Sequence, residues 1–358
     1  MKTSAFPVIA VPARNEEKRL PRLLSALARQ SYAARHRLAV VIVLNNCTDD
    51  SWAATAAAAS SHPELAVEVI DVSFPPAEAH VGSARRLALD TALSLCPNVD
   101  HGVLLTTDAD AMPAPNWVDA NLRHIAEGAD LVGGVIVGDP AEEAQLGPGF
   151  RRRAQAHAIY SGLADQLSAM LDPIAHDPWP RHHDHTGASL ALRAAVYAAV
   201  GGLPVLPRRE DIALVSKVRE AGYRLRHPLD VRVDVSARLV GRASGGMADC
   251  LKEWMREEAA GMPLLVEDPC LIALRLDRRR ILRSLDSASS AERHLIASTL
   301  DLDPAAFYDD GGTPLPAARL IERLAADELD AAATMPVETA IAALEAMIEQ
   351  AEGNVRAA

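Results

Sequence analysis

The stretch LLTTDADAMP (residues 104–113) places an apolar run and two threonines ahead of Asp108 and Asp110, with a single alanine between the aspartates. In an extended segment, residues i and i+2 project to the same side, roughly 6–7 Å apart along the chain. Two like charges held this way repel unless something neutralises them. One reading is a turn with Asx-type hydrogen bonds, suggested by the MPAP that follows. The other is a pair of oxygen ligands for a hard divalent cation, completed by water and substrate phosphates. The segments on either side decide between them.

Short apolar runs at 6–11, 38–44, 65–72, 102–107 and 131–137 alternate with helical patterns over 16–30, 49–61, 80–95 and 116–127. Within 16–30, Leu20, Leu23, Leu24 and Leu27 share one helical face. This alternation predicts an α/β fold with a mostly parallel central sheet flanked by helices. Ligands of such sheets sit outside the C-terminal strand ends. That rule selects the loops 12–17, 45–50, 73–83 and 108–115. Asp108 and Asp110 follow a buried strand and lie at the selected edge, which favours the cation. After Gly138 the alternation breaks into a helix over 142–171, a Pro- and His-rich loop at 176–185, a short strand at 187–192 and an amphipathic helix over 210–222. Beyond about 246 the text is helical and increasingly acidic.

Composition narrows the function classes. A chain of 358 residues accommodates one large domain plus an appendage, or two domains. Its 49 % hydrophobic and 23 % charged content is that of an ordinary globular protein. The net charge of −12 argues against a nucleic-acid binder and disfavours adhesion to anionic membranes. No apolar run reaches the ~18 residues of a membrane helix, and the N-terminal apolar stretch is too short for a signal peptide. Cys47, Cys96, Cys250 and Cys270 form no CxxC and read as reduced thiols of a cytoplasmic protein. The loop PARNEE (12–17) has no glycine, which excludes a dinucleotide G-x-G-x-x-G and a P-loop. Asn15 and Glu16 suit helix capping, a role that does not explain Arg14. In NNCTDD (45–50), amides and carboxylates suit a nucleobase edge, or Thr48 or Asp49 serves as an N-cap.

Together VIAVPARNEE (8–17), VVIVLNNCTDDS (40–51), VGSARRLAL (81–89), LLTTDADAMPAPNWV (104–118), HTGASLALRAAVYAAVGGLP (185–204), REDIALVSKVREAGYRLR (209–226) and DVSARLVGRASGG (234–246) resemble the family 2 glycosyltransferases, which have the GT-A fold. The resemblance covers roughly residues 6–246. It implies a nucleotide-binding half over 1–137 and an acceptor half over 138–245, with 246–358 as a C-terminal helical appendage. It implies that Pro12, Arg14, Asn15 and Glu16 line the ribose and base of a sugar nucleotide. Asn45 stands where the family often has an aspartate, which leaves the base open. Arg85 would lie near the nucleotide, its alternative being a solvated helix face. By resemblance Asp108 and Asp110 hold Mg2+ or Mn2+ against the donor diphosphate, and Arg238 and Arg242 close over it.

Asp211 matches the acid that takes the acceptor proton in a direct, inverting displacement; without the resemblance, its place at a helix start would suit the dipole alone. His185, Gly187, Ala188 and Glu210 would face the acceptor. His227, before Pro228, is the nearest match to a metal-binding histidine of some relatives and reads better as structural. The neighbours His182, His183 and His185 converge poorly on one tetrahedral zinc. The implied function is metal-dependent, inverting transfer of a hexose from a nucleotide-diphosphate sugar to the hydroxyl of a small-molecule or lipid-linked acceptor. The C-terminal helices would shape the acceptor pocket or mediate homodimerisation. A sugar-nucleotide nucleotidyltransferase would need a glycine-rich loop and a lysine after strand one. A non-catalytic sugar-nucleotide binder would have no call for Asp108, Asp110 and Asp211 together.

Overall fold

The computed structural model describes residues 5–241, 246–327 and 333–357, so Arg242 lies outside the described residues. Its elements run β1 (Phe6–Ala13), α1 (Leu20–Ala28), β2 (Leu38–Asn45), α2 (Ser51–Ser60), β3 (Leu65–Val72), α3 (Val81–Ser94), β4 (Gly102–Thr106), β5 (Ala111–Pro113) and α4 (Trp117–Ala126). There follow β6 (Leu131–Gly133), β7 (Val135–Gly138), α5 (Pro140–Glu143), α6 (Gly147–Leu171), β8 (Leu190–Arg193), α7 (Ala194–Ala199), α8 (Glu210–Glu220), β9 (Leu225–Arg226) and β10 (Arg232–Val235). The remainder is α9 (Met247–Ala259), β11 (Leu265–Glu267), α10 (Pro269–Arg283), α11 (Ser290–Thr299), α12 (Ala317–Leu324), β12 (Thr334–Pro336) and α13 (Val337–Ala357).

The chain forms two compact units. The first comprises Met1–Arg151, His182–Val218 and Arg224–Arg256. Its main sheet has the order β3-β2-β1-β4-β8-β6-β9, and a small sheet has the order β5-β10-β7. β1 is parallel to β2 and β4, β2 to β3, and β6 to β9, whereas β8 runs antiparallel to β4 and β6. The expected α/β architecture with a mostly parallel sheet is therefore present. β1 and β2 read as almost unbroken apolar runs because helices cover both faces of such a sheet. Ile9, Val11, Val40, Ile42 and Leu44 join Leu20, Leu23, Leu24 and Leu27 of α1 in one buried core.

Pairing of β1 with β4 ends at Ala10 and Thr106, while pairing with β2 continues to Ala13. Pro12 has no N–H to offer β4, so the two strands part there. The parting lies at the switch point of the strand order and opens the edge where ligands bind in such folds. Three segments differ from the sequence reading. The expected strand 131–137 divides at Gly134 into β6 and β7, which belong to different sheets. The expected helix 142–171 is split, and α6 restarts with Pro148 in its first turn, where a missing N–H costs nothing. β5, β9 and β10 are too short to leave a periodic signal.

The second unit comprises Arg152–Arg181, Arg219–Tyr223 and Glu257–Ala358. Most of α6 belongs to it. It is helical apart from the ribbon of β11 and β12, and its core includes Leu282, Leu285, Phe307, Leu320 and Ile321. Among the described residues no helix is long and apolar enough to cross a membrane.

Gly82 shows how tightly the first unit is assembled. A Cβ on this residue of α3 would lie 2.0 Å from the carbonyl oxygen of Leu206, in the loop between α7 and α8. Helix propensity alone favours Gly82→Ala by roughly 1 kcal/mol. Collision with immovable backbone outweighs it, and overpacking of this kind typically costs about 1–3 kcal/mol. Urea denaturation of Gly82→Ala is therefore expected to show a less stable protein, not a more stable one.

Candidate active site

The first two loops at the sheet edge brace one another. Asn15 and Asn46 both adopt left-handed backbone, with φ of 55° and 49°, a conformation asparagine tolerates better than most residues. Asn15 Oδ1 accepts from the Thr48 N–H at 2.7 Å, and the Glu16 N–H donates to Ser51 Oγ at 2.8 Å. Glu17 N–H donates to Asp49 Oδ2 at 3.2 Å, and Asp50 N–H donates to Glu17 Oε2 at the same distance. Pro12 is buried at the end of β1, and the exposed Arg14 reaches across to donate to the Ala79 carbonyl at 2.9 Å. Asn45 is only 2 % exposed. Its Nδ2 donates to the His80 carbonyl at 3.0 Å, while its Oδ1 is buried with no hydrogen-bond partner among the described residues.

Asp108 and Asp110 leave β4 with different partners. Asp108 Oδ1 accepts from Arg85 Nη2 at 2.7 Å. Asp110 Oδ2 lies 3.0 Å from Arg238 Nη2. Arg238 also holds the buried Glu16 through both guanidinium nitrogens, Nη1 donating to Oε2 at 2.7 Å. Burial pushes the Asp110 carboxyl up to about 6, Asp108 adds to the rise, and Arg238 opposes it. The loop that carries Arg238 is itself pinned. Glu142 of α5 accepts from Ser236 Oγ at 2.7 Å, from the Ala237 N–H at 3.0 Å and from Arg19 at 2.5 Å. Although burial alone would raise the pKa of Glu142, those bonds hold it below the usual range. Neither Glu142 nor its link to residue 238 has a signature in the sequence, because Glu142 lies more than ninety residues from each of its partners.

Arg85 is not on a solvated helix face. Its side chain is 3 % exposed and turns inward from α3. Nε donates to Glu210 Oε1 at 2.9 Å, Nη1 to Thr106 Oγ1 at 2.8 Å and to the Gly187 carbonyl at 2.9 Å, and Nη2 to Asp108. Burial would lower the pKa of this guanidinium, but Asp108, Glu210 and Asp211 outweigh burial and raise it. Glu210, at the start of α8, is 3 % exposed and faces this interior pair. Burial raises its pKa and Arg85 opposes the rise. Asp211 is half-buried, and its Oδ2 accepts from the Gly187 N–H at 2.5 Å. Ala188 is buried, its carbonyl accepting from Thr107 Oγ1 at 2.8 Å. His185 lies beside these residues in sequence, with Nδ1 3.2 Å from His227 Nε2, and the His182 ring stacks edge-on against His227. Among the described residues no group of three or more His, Cys, Asp or Glu is placed to hold a metal ion.

The sheet order and the helices that flank it are those of a GT-A architecture. Residues 8–195 match the model of glycosyl transferase family 2, and the chain belongs to that family. Comparison with curated proteins finds no match. Among solved structures, the chain is similar to a mannosyltransferase of Pyrobaculum calidifontis in complex with GDP-Man and Mn2+, at 19 % identity and TM-score 0.47 over 84 % of this chain and 81 % of that one. It is similar to S. aureus TarS in complex with UDP-GlcNAc, at 18 % identity and TM-score 0.47 over 83 % of this chain and 71 % of that one. It is also similar to glucosyl-3-phosphoglycerate synthase of Mycobacterium tuberculosis with Mn2+, UDP-Glc and phosphoglyceric acid, at 16 % identity and TM-score 0.42 over 74 % and 82 % of the two chains.

The raised pKa of Asp110 has a sign that stability measurements read directly. A carboxyl whose folded pKa exceeds its unfolded value destabilises the fold once ionised, so stability is present at acid pH and is lost as pH rises from about 3.8 through about 6. Asp110→Asn removes that penalty while Arg238 keeps Glu16. The side chain is 21 % exposed, which discounts the full electrostatic cost. Without added cation, Asp110→Asn is expected to be more stable than wild type by roughly 1–2 kcal/mol at pH 7.5. Urea titrations should show the gain shrinking by about half at pH 5.

Proposed function

We propose that the protein transfers a hexose from a nucleoside-diphosphate sugar to a hydroxyl acceptor, with inversion and with the help of Mg2+ or Mn2+. The observation that carries this reading is the meeting of Asp108 and Asp211 on one short chain of contacts. Asp108 binds Arg85, Arg85 binds the Gly187 carbonyl, and the Gly187 N–H binds Asp211. An acidic pair suited to the donor and a carboxylate suited to the acceptor are thereby held at one edge of the sheet.

The residues fit a hard cation. Asp108 and Asp110 offer oxygen donors, and a cation would favour the charged form of the Asp110 carboxyl, which burial first and Asp108 second disfavour. Two carboxylates leave the rest of the coordination to diphosphate oxygens and water, as is common for Mg2+. Such a cation would offset the charge that develops on the departing nucleoside diphosphate. Pro12, Arg14, Asn15 and Glu16 are assigned to the nucleoside. The buried Oδ1 of Asn45 is an acceptor suited to an N–H on a base edge. Arg238 and Arg242 are assigned to the diphosphate. Asp211 is the general base that accepts the proton of the acceptor hydroxyl, and the oxygen then attacks the anomeric carbon opposite the leaving group. His185, Gly187 and Ala188 are assigned to the acceptor side.

Asp211→Asn tests the base. The amide keeps the side chain's shape but has one oxygen for the two N–H groups, of Gly187 and Ile212, that Asp211 accepts from, so melting temperature should fall slightly while nucleoside-diphosphate binding stays near wild type. Release of nucleoside diphosphate from a panel of sugar nucleotides with an acceptor extract should fall at least ~100-fold. Wild-type turnover by this variant would leave Asp211 as a helix cap. Asp110→Ala should abolish the Mn2+ dependence of nucleoside-diphosphate binding in calorimetry, and equal affinities with Mn2+ and with EDTA in wild type would remove the metal from the proposal.

A further inference from the structure

The family resemblance places Arg85 near the nucleotide, but four contacts turn it elsewhere. A guanidinium has five N–H donors in a rigid plane. Arg85 directs four of them at four acceptors on three separate stretches of chain: Glu210 of α8, the Gly187 carbonyl before β8, and Thr106 and Asp108 at the end of β4 and just beyond it. Each bond is between 2.7 and 2.9 Å. Nε and both hydrogens of Nη1 are committed to protein acceptors, which leaves one hydrogen on Nη2. The absence of a side chain at residue 187 belongs to the same arrangement. A Cβ there would lie 2.4 Å from Arg85 Cζ and 2.5 Å from Nη2.

We propose that Arg85 is a positioning residue: its guanidinium sets the donor-side carboxylate Asp108 and the Gly187–Asp211 contact at a fixed separation, with Glu210 as the buried counter-charge that aims it. This rests on the reading of Asp211 as the base and of Asp108 as a donor-side ligand. It changes two assignments. Glu210 acts through Arg85 and not on the acceptor, and Arg85 acts on the geometry of transfer and not on the affinity for the nucleotide. Misplacement of reacting groups by about 1 Å can cost on the order of a hundredfold in rate. A lysine at this position keeps the charge but presents three donors from one atom, so it cannot reach four acceptors in four directions.

The test compares full-length wild type, Arg85→Lys, Gly187→Ala and Asp211→Asn, with Arg85→Lys also placed in the Asp211→Asn background. Turnover is followed as UDP or GDP released from UDP-glucose or GDP-mannose in the presence of an acceptor extract, and UDP and GDP binding with Mn2+ by calorimetry. Arg85→Lys and Gly187→Ala are each expected to lower kcat about a hundredfold with the donor KM and the nucleoside-diphosphate affinity near wild type. Because Arg85 acts in part through the placement of Asp211, the two substitutions together should cost clearly less than the product of their separate effects. A raised donor KM with unchanged kcat would return Arg85 to nucleotide binding and overturn the proposal. So would full additivity of the two substitutions, or variants that lose melting temperature but keep wild-type kcat per folded molecule, or failure of both single variants to fold. Full activity in Asp211→Asn would instead count against the base assignment, a separate result from the kcat and KM of Arg85→Lys.

Discussion

Taking a guanidinium out of water costs several kcal/mol unless counter-charges and hydrogen-bond acceptors surround it. Arg85 is 3 % exposed, and it is the contact on which the edge of the sheet depends. Its acceptors come from β4, from the approach to β8 and from the start of α8, the last of them 125 residues along the chain from Arg85. None of them compensates the charge alone. α3, β4, β8 and α8 must therefore arrive together, and a half-assembled site carries an uncompensated ion. This is a strong constraint on the native arrangement, because losing one member of a buried pair typically costs about 3–5 kcal/mol.

The two aspartates beyond β4 consequently live in different regimes. Asp108 is tied to an arginine that cannot move without abandoning three other acceptors. Asp110 is tied to Arg238, which is half-buried and sits on a loop held through Ser236 and Ala237 by Glu142. Arg238 divides its charge between Glu16 and Asp110. The negative charge at Asp110 is thus only partly offset, in keeping with the raised pKa of that carboxyl. In each case one guanidinium serves two carboxylates, Arg85 holding Asp108 and Glu210 and Arg238 holding Asp110 and Glu16.

How much of this was legible in the sequence follows from which forces act locally. β1, β2 and β4 show as apolar runs because helices cover both faces, and the acidic pair shows because the ligand edge of such a sheet is fixed by strand direction. Asp211 was singled out by resemblance to the family motifs alone, since its place at a helix start would equally suit the dipole. The role of Arg85 was not legible. VGSARRLAL carries two adjacent arginines, and nothing local says that Arg85 turns inward while Arg86 reaches Asp90 and the carbonyls of Gly201 and Leu203. That choice depends on Gly187, more than a hundred residues away. β5, β9 and β10 escaped for another reason. Strands of two to four residues exist only through their partners, and the ribbon of β11 and β12 is of the same kind.

The contact between Gly82 and the Leu206 carbonyl bears on how new specificities could arise on this scaffold. The loop between α7 and α8 leads directly into Glu210 and Asp211, a place where lengthening or exchange would alter what is admitted beside these carboxylates. It is not a free module. Its backbone rests on α3 at a residue with no side chain, one turn before Arg85, so a remodelled loop must preserve that close approach to the helix that carries the guanidinium. Divergence in this region is therefore expected to be coupled, with changes in the loop accompanied by changes at the start of α3, and a graft that transplants the loop alone inherits neither partner.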